Sequence, residues 1–398
     1  MRKQFALLIV LCILLTGCSG NTIQKEPTST DASVPGHDAQ NQYLFTTAMS
    51  FQETDSFYCG NSFDGRFLNY YDKASGICGI LCADPSCAHD SSECSAFIEA
   101  GASLSVYDNH LYWIAQDAET RDYMLWRSNL SGMDREVIKR LSFEDLIIPY
   151  QPQRYVVHQG MLYILGESQT VVGTETSMRV TLLSTPLNDS EDFSILQDES
   201  YTCGVERTIR FLGNQAYISM ITFVPGSGCF DVTITKLDLT EGTRENIYCE
   251  KEVYGVPKSI WVTETGEIYL PWADETYAYI WKVEAGTRTE IISWPAVSSS
   301  APQVLDGIAV YLTRPEDVRY ALIMDLNGNP IYSGKLFPEG IPGIEDDPNT
   351  YNMALIGGDN EKLILNLQSF SEQGLLDYTV SLDIQNDMKP TVLWSSQK

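Results

Sequence analysis

The chain is poor in histidine and in positive charge, with four histidines in 398 residues and 26 lysines and arginines against 53 aspartates and glutamates, for a net charge of −27. A surface of that sign repels phosphate backbones and anionic headgroups, so no nucleic-acid partner is expected. The histidines are His37, His89, His110 and His158. None accompanies a Gly-x-Ser-x-Gly nucleophile turn, and His-Glu-x-x-His and the glycine-rich phosphate loops are missing from the sequence. Triad hydrolysis, zinc-protease chemistry and nucleotide binding therefore have no sequence support. Helical periodicity of any length is lacking too, which disfavours a two-domain α/β binding protein. The apolar run at residues 5–15 is too short to span a bilayer, and no later run is long enough for a membrane-spanning helix.

What is present is a repeat. An apolar, mostly tyrosine-centred strand segment returns seven times, at Phe57-Tyr58-Cys59, Leu111-Tyr112-Trp113, Leu162-Tyr163-Ile164, Ala216-Tyr217-Ile218, Ile268-Tyr269-Leu270, Val310-Tyr311-Leu312 and Leu363-Ile364-Leu365. The central residues are spaced by 54, 51, 54, 52, 42 and 53 positions, room for one four-stranded unit each. Turn residues precede the repeated strand, among them Asn109-His110, Gln159-Gly160 and Asp306-Gly307, and Gly-containing turns follow the next strand. Four antiparallel strands per unit predict an all-β fold, a β-propeller of seven blades, with six or eight as alternatives. The strand near Tyr43 to Phe51 is expected in the first or last blade.

The N-terminus reads as an export signal: Arg2 and Lys3, an apolar run from Phe5 to Leu15, then Leu15-Thr16-Gly17-Cys18. That ending resembles a bacterial lipobox, which implies cleavage before Cys18 and lipidation of its sulfur. The expected organisation is a signal peptide over 1–17, a lipidated Cys18 with a polar tether over 18–42, and a propeller over 43–398 with a Cys/His-rich loop at 78–94. The expected location is the outer side of the cytoplasmic membrane, reached through the lipid alone. A monomer is expected.

The segment Leu111-Tyr112-Trp113-Ile114, followed by Leu125-Trp126-Arg127-Ser128-Asn129-Leu130-Ser131-Gly132-Met133, resembles the blade signature of YWTD-type surface propellers. The stretch Leu81-Cys82-Ala83-Asp84-Pro85-Ser86-Cys87-Ala88-His89, with Cys94 beyond it, is similar to one in propeller-like lipoproteins of anaerobic Gram-positive bacteria. The resemblance implies a fold and a location, and no reaction.

Within each unit the first and third turns are short, whereas the opposite connections, including 116–122, 167–178, 223–229, 273–277, 314–318 and 369–374, read as long and irregular. Binding residues concentrate on such loops. Phe223, Trp272, Tyr277 and Phe370 fall there near Asp274, Glu275, Glu316 and Asp317, aromatics beside carboxylates that could stack a ligand and bind its polar edge. Packing between blades and plain solvation explain the same residues.

Of ten cysteines, Cys12 lies in the signal and Cys18 at the anchor. The eight others suit disulfides in an exported protein. Cys82, Cys87, His89 and Cys94, however, also form the donor set of a closed, structural zinc site. Disulfides, zinc and reduced thiols all remain open readings, as does a bridge between two of Cys203, Cys229 and Cys249. The expected function is a lipid-anchored binding or scaffolding module for an extracellular protein, peptide or glycan. The alternative is a surface carbohydrate-active enzyme working with paired loop carboxylates, a chemistry that needs only two carboxyl groups a few ångströms apart. The aspartate box of sialidase propellers is not found.

Overall fold

The computed structural model describes residues 43–44, 51–61, 66–98, 103–116, 120, 122–141, 154–172, 175–188, 193–201, 205–297, 301–342, 344, 347–371 and 374–395. Of its two compact units, Met1–Val34 lies wholly outside these residues, as does Cys18. The other, Pro35–Lys398, is an all-β ring of seven four-stranded blades.

Each blade is built from consecutive strands paired antiparallel. The first comprises Phe51–Glu53, Phe57–Gly60, Asn69–Asp72 and Cys78–Ile80. The second runs from Ser105–Tyr107 to Glu136–Leu141, the third from Tyr155–His158 to Ser194–Tyr201, and the fourth from Val205–Leu212 to Arg244–Tyr254. The fifth runs from Val256–Pro257 to Thr287–Pro295, the sixth from Gln303–Leu305 to Pro330–Lys335, and the seventh from Asn352–Gly358 to Lys389–Ser395.

The repeated apolar segment is the second strand of each blade, with a partner on either side. Its two faces are covered by the neighbouring blades, which is why it reads as a continuous apolar run; all six residues of Ile268–Ala273 are buried. The outermost strands instead alternate, as in Arg244–Tyr254 and Thr287–Pro295, whose larger share is exposed. The first turns use the expected chemistry: Asp108 and Asn109 hold φ of 47° and 57°, and Gln159 and Gly160 hold 49° and 73°.

Among the described residues seven hydrophobic clusters stitch consecutive blades together, and their sizes differ. The cluster between the sixth and seventh blades holds eighteen buried side chains, from Leu305 to Met388. The one that closes the ring, between the seventh and first, holds four: Tyr58, Ile364, Leu393 and Trp394. At ~1.5–3 kcal/mol per buried large apolar side chain, the closing seam contributes far less. Polar contacts supplement it. Glu53 accepts from both Lys73 at 2.7 Å and Lys362 at 2.9 Å, and Phe51 stacks on Trp394 at 6.0 Å.

Three sequence expectations change. Phe51 opens the first blade as expected, but Tyr43–Leu44 belongs to neither end blade: Tyr43 pairs with Arg210 and Leu44 with Ile209, adding a strand to the inner edge of the fourth blade. That edge otherwise presents unpaired backbone groups toward the central channel, and an extended segment satisfies them. Residues 167–172 and 175–178 belong to a regular hairpin in which Met161–Val172 pairs with Glu175–Pro186 down to Val172 opposite Glu175. Likewise Lys362–Ser371 pairs with Gly374–Asp383 down to Ser371 opposite Gly374. β-Branched residues such as Thr170, Val171, Val172 and Thr176 favour extended backbone within sequence that otherwise reads as a polar loop.

Candidate functional site: an aromatic groove and a cysteine–histidine cluster

A groove of about 530 Å³ lies between the fourth and fifth blades. Glu250, Glu252, Val253 and Tyr254 line it from the outermost strand of the fourth blade, and Trp272, Asp274, Tyr279, Trp281, Arg288 and Glu290 from the fifth. Its aromatic wall comes from strand alternation: Tyr277, Tyr279 and Trp281 sit at every second position of Tyr277–Glu284 and so share one face. Ring contacts run on without a break: Tyr277–Tyr279 at 5.9 Å, Tyr279–Trp281 at 5.5 Å, Trp281–Trp272 at 5.5 Å, Trp272–Phe230 at 6.2 Å and Phe230–Phe223 at 5.6 Å. The ends of this ladder, Phe223 and Tyr277, are exposed.

Two features fix the groove's shape. Trp272 is fully buried and donates its indole N–H to the Tyr254 carbonyl at 2.7 Å, so it forms the floor and offers no free stacking face. Gly255 carries the chain between blades at φ 122°; a β-carbon there would collide with the Ala273 carbonyl and the Trp272 ring. Beside it the fourth blade's outer strand is bulged between Glu250 and Val253, opposite Phe230 and Val232, and Glu252 takes φ 55° with its N–H on Asp231 at 2.9 Å. Bulges of this kind re-aim side chains next to functional sites.

The charged groups divide into engaged and free. Arg288 stacks its guanidinium 3.5 Å from the Trp281 ring centre and donates to Glu250 at 2.8 Å, and Glu250 also accepts from the Tyr248 hydroxyl. Asp274 accepts from the amides of Thr276 and Tyr277 at 2.7 and 2.8 Å and from the Tyr279 hydroxyl at 3.0 Å. Burial works against its charge, but these donors win and hold its carboxyl below the ordinary range, whereas burial and the Asp274 charge push the Tyr279 hydroxyl up to about 12. A general acid requires the opposite shift, so Asp274 is a turn-forming anion. Glu252 and Glu290, on the outermost strands of the fourth and fifth blades, are exposed, and their carboxylates make no hydrogen bond or ion pair among the described residues.

Of the residues singled out from sequence, Trp272 and Asp274 line the groove, and Phe223 and Tyr277 end its ladder. Glu275 is exposed in the connection that follows Asp274. Glu316 and Asp317 lie in a turn of the sixth blade, with φ of 51° and 63° and Asp317 3.6 Å from Arg314, and take no part in lining the groove. The backbone of Phe370 is in Lys362–Ser371, and its side chain lies outside the described residues. Sequence reading missed Tyr279, Trp281, Arg288, Glu250, Glu252 and Glu290. The alternating aromatics 277, 279 and 281 were the available signal; the others come together only when neighbouring blades pack.

The second constellation is the excursion after the first blade. Its ends are anchored: Leu81 N–H donates to Leu68, Leu68 N–H to Ala96, and Ile98 N–H to Arg66, at 2.8, 2.9 and 2.7 Å. Leu81, Ala96 and Ile98 are buried. Between these anchors one donor atom from each of Cys82, Cys87, His89 and Cys94 lies within 4.8 Å of all the others. Burial opposes the Cys82 thiolate, yet hydrogen bonding from the Ser95 hydroxyl at 3.4 Å and from neighbouring groups brings its pKa to about 7, while burial pushes Cys94 up to about 12.

Cys59, Cys78, Cys82, Cys87, Cys94, Cys229 and Cys249 are all free, and Cys203 lies outside the described residues. The expected bridge does not join Cys229 to Cys249. Cys229 faces Tyr254 and Cys249 faces Thr233, an offset of four positions along the strand and about 13 Å, well past the ~7 Å that a disulfide spans.

No protein family and no curated protein matches the chain. Among solved structures it is similar to a prolyl endopeptidase, with TM-score 0.49 and 11 % identity over 89 % of this chain and 50 % of that one. It is also similar to Porphyromonas gingivalis dipeptidyl peptidase 4 (TM-score 0.45, 9 % identity, 92 % of this chain and 62 % of that one). A third is a Bacteroides fragilis protein provisionally named a 6-phosphogluconolactonase (TM-score 0.46, 11 % identity, 91 % and 96 %). The chain thus spans about half the length of the prolyl endopeptidase. Fold and groove together define a seven-bladed propeller with an acidic, aromatic-walled recess, and no activity is carried over from these likenesses.

Proposed function

We propose that the chain is an exported, lipid-anchored propeller that binds a basic peptide segment in the groove between its fourth and fifth blades. The observation that carries the reading is the pair of unengaged carboxylates, Glu252 from the fourth blade and Glu290 from the fifth, that line the groove together with Tyr279 and Trp281. Two free anions on opposite walls suit a lysine or arginine side chain, and aromatic faces favour a cation and its aliphatic stem. The chain's formal charge of −27 steers the same class of ligand toward it. The lipobox at Leu15-Thr16-Gly17-Cys18 supports an anchor at the outer surface of the cytoplasmic membrane.

Calorimetric titration with an arginine- and lysine-containing peptide and, separately, with a neutral oligosaccharide tests the ligand class. Peptide binding that weakens about tenfold or more in the Glu252→Gln/Glu290→Gln variant is the expected result. Unchanged peptide affinity in that variant, preference for the oligosaccharide, or turnover of either ligand contradicts the reading. For the anchor, Cys18→Ala is expected to abolish incorporation of labelled palmitate and release the chain from the membrane fraction; continued labelling would refute it.

A further inference from the structure

The excursion from Leu81 to Ile98 poses a physical problem apart from the groove. Its middle, residues 83–93, carries no large apolar residue, and the hydrogen bonds it makes are local. Ser86 N–H and hydroxyl donate to the Asp84 carboxylate at 2.8 and 2.7 Å, Cys87 N–H to the Asp84 carbonyl at 3.2 Å, and Cys94 N–H to Ser91 at 3.3 Å. Such a segment does not hold one conformation unaided. Yet it is shaped around a point. His89 takes φ 53°, unusual for a residue with a side chain, and its Nδ1 comes within 3.4 Å of Cys94 Sγ.

We propose that Cys82, Cys87, His89 and Cys94 bind one zinc ion in a closed tetrahedral centre that fastens this excursion to the first two blades. With Zn–S near 2.3 Å and Zn–N near 2.0–2.1 Å, ligand atoms of a tetrahedral site stand ~3.5–3.8 Å apart. Donor atoms already gathered within 4.8 Å need only a small inward movement. A disulfide accounts for two of the four donors and leaves a thiol and an imidazole aimed at the same place. With all four positions taken by protein, the ion has no open site for catalysis, so its role is structural.

The surroundings match the charge of that centre. Three thiolates around a dication leave one net negative charge, and Arg135 is the cation beside it, acting electrostatically on Cys94. Its guanidinium lies 4.4 Å from the Trp126 ring centre and 5.2 Å from that of Trp113, and donates to the Phe97 carbonyl at 2.6 Å. Arg135 belongs to the second blade's last turn, so the centre joins blades as well as holding its own loop. At the same contact, Gly132, with φ 76°, lets that turn approach closely; a β-carbon would lie 2.5 Å from the Leu81 carbonyl. Zinc also shields thiolates from the oxidation that an exported protein meets.

The test is elemental analysis of the full chain recovered from exporting cells in buffer without reductant, with cobalt exchanged for the native metal. The expected result is about one zinc per chain and, after exchange, the intense visible absorption of tetrahedral cobalt thiolate. Cys94→Ser and His89→Ala are expected to lower the metal content at least fivefold, and Arg135→Gln to keep the stoichiometry while weakening affinity about tenfold, as charge partners next to a metal site do. Metal-free wild-type protein overturns the proposal, whether its thiols are free or mass spectrometry finds a disulfide among Cys82, Cys87 and Cys94. Full zinc content in both ligand variants overturns it equally. The wild-type cobalt spectrum decides the matter even where a variant fails to fold, and neither arm depends on what the groove binds.

Discussion

Gly255 sets the depth of the groove by letting the interblade chain lie against Trp272 at a backbone angle other residues avoid. Gly255→Ala is expected to cost about 3 kcal/mol, from strain and collision combined, read as a lower denaturant midpoint. Full stability in that variant would show that the chain has room there. A second expectation concerns aspartates in the third turns. Asp325 accepts from the amides of Asn327 and Asn329 and from the Asn329 side chain, and these donors hold its carboxyl below the ordinary range. A depressed folded pKa means stabilisation that is complete above the unfolded value near 4 and lost as pH falls through the folded one. Acidification also relieves the chain's excess negative charge, so the informative quantity is a difference. Asp325→Asn should destabilise more at pH 7 than at pH 3, and an equal effect at both would disprove the assignment.

At the scale of strands, legibility followed locality. The second strands and their Gly, Asn and Asp turns were readable because alternation, apolar runs and positive-φ residues are written within ten positions. The hairpin from Met161 to Pro186 misled because its distal half is polar, and polarity marks a loop only when β-branched residues are scarce. The set Cys82, Cys87, His89 and Cys94 was readable because its members fall within thirteen positions, while the convergence of their donor atoms within 4.8 Å is seen only in space. Of the groove's lining only Trp272 and Asp274 were readable, together with Phe223 and Tyr277 at the ends of its aromatic ladder. The rest was not, since Glu250 and Arg288 meet only when the outer strands of two blades pack side by side. Pairing of Tyr43–Leu44 with the fourth blade left no local trace, because a two-residue strand carries no periodicity.

For the whole molecule, the uneven clusters predict where the ring gives way. Among the described residues the seam between the seventh and first blades has four buried side chains and no strand shared between the two blades, so packing and the Lys73–Glu53–Lys362 bridge hold it. Trp394→Ala removes a member of that cluster and its stack on Phe51, and is expected to cost about 3–5 kcal/mol. Amide exchange should then quicken first in the first and seventh blades, whereas uniform acceleration around the ring would show that the seam is no weaker than the rest. The central claim is that the groove between the fourth and fifth blades is where this propeller meets a ligand. Amide exchange with and without a basic peptide tests it most directly: the account predicts new protection in residues 250–256 and 272–290. Protection confined to the first-turn face, or none at saturating peptide, would contradict it.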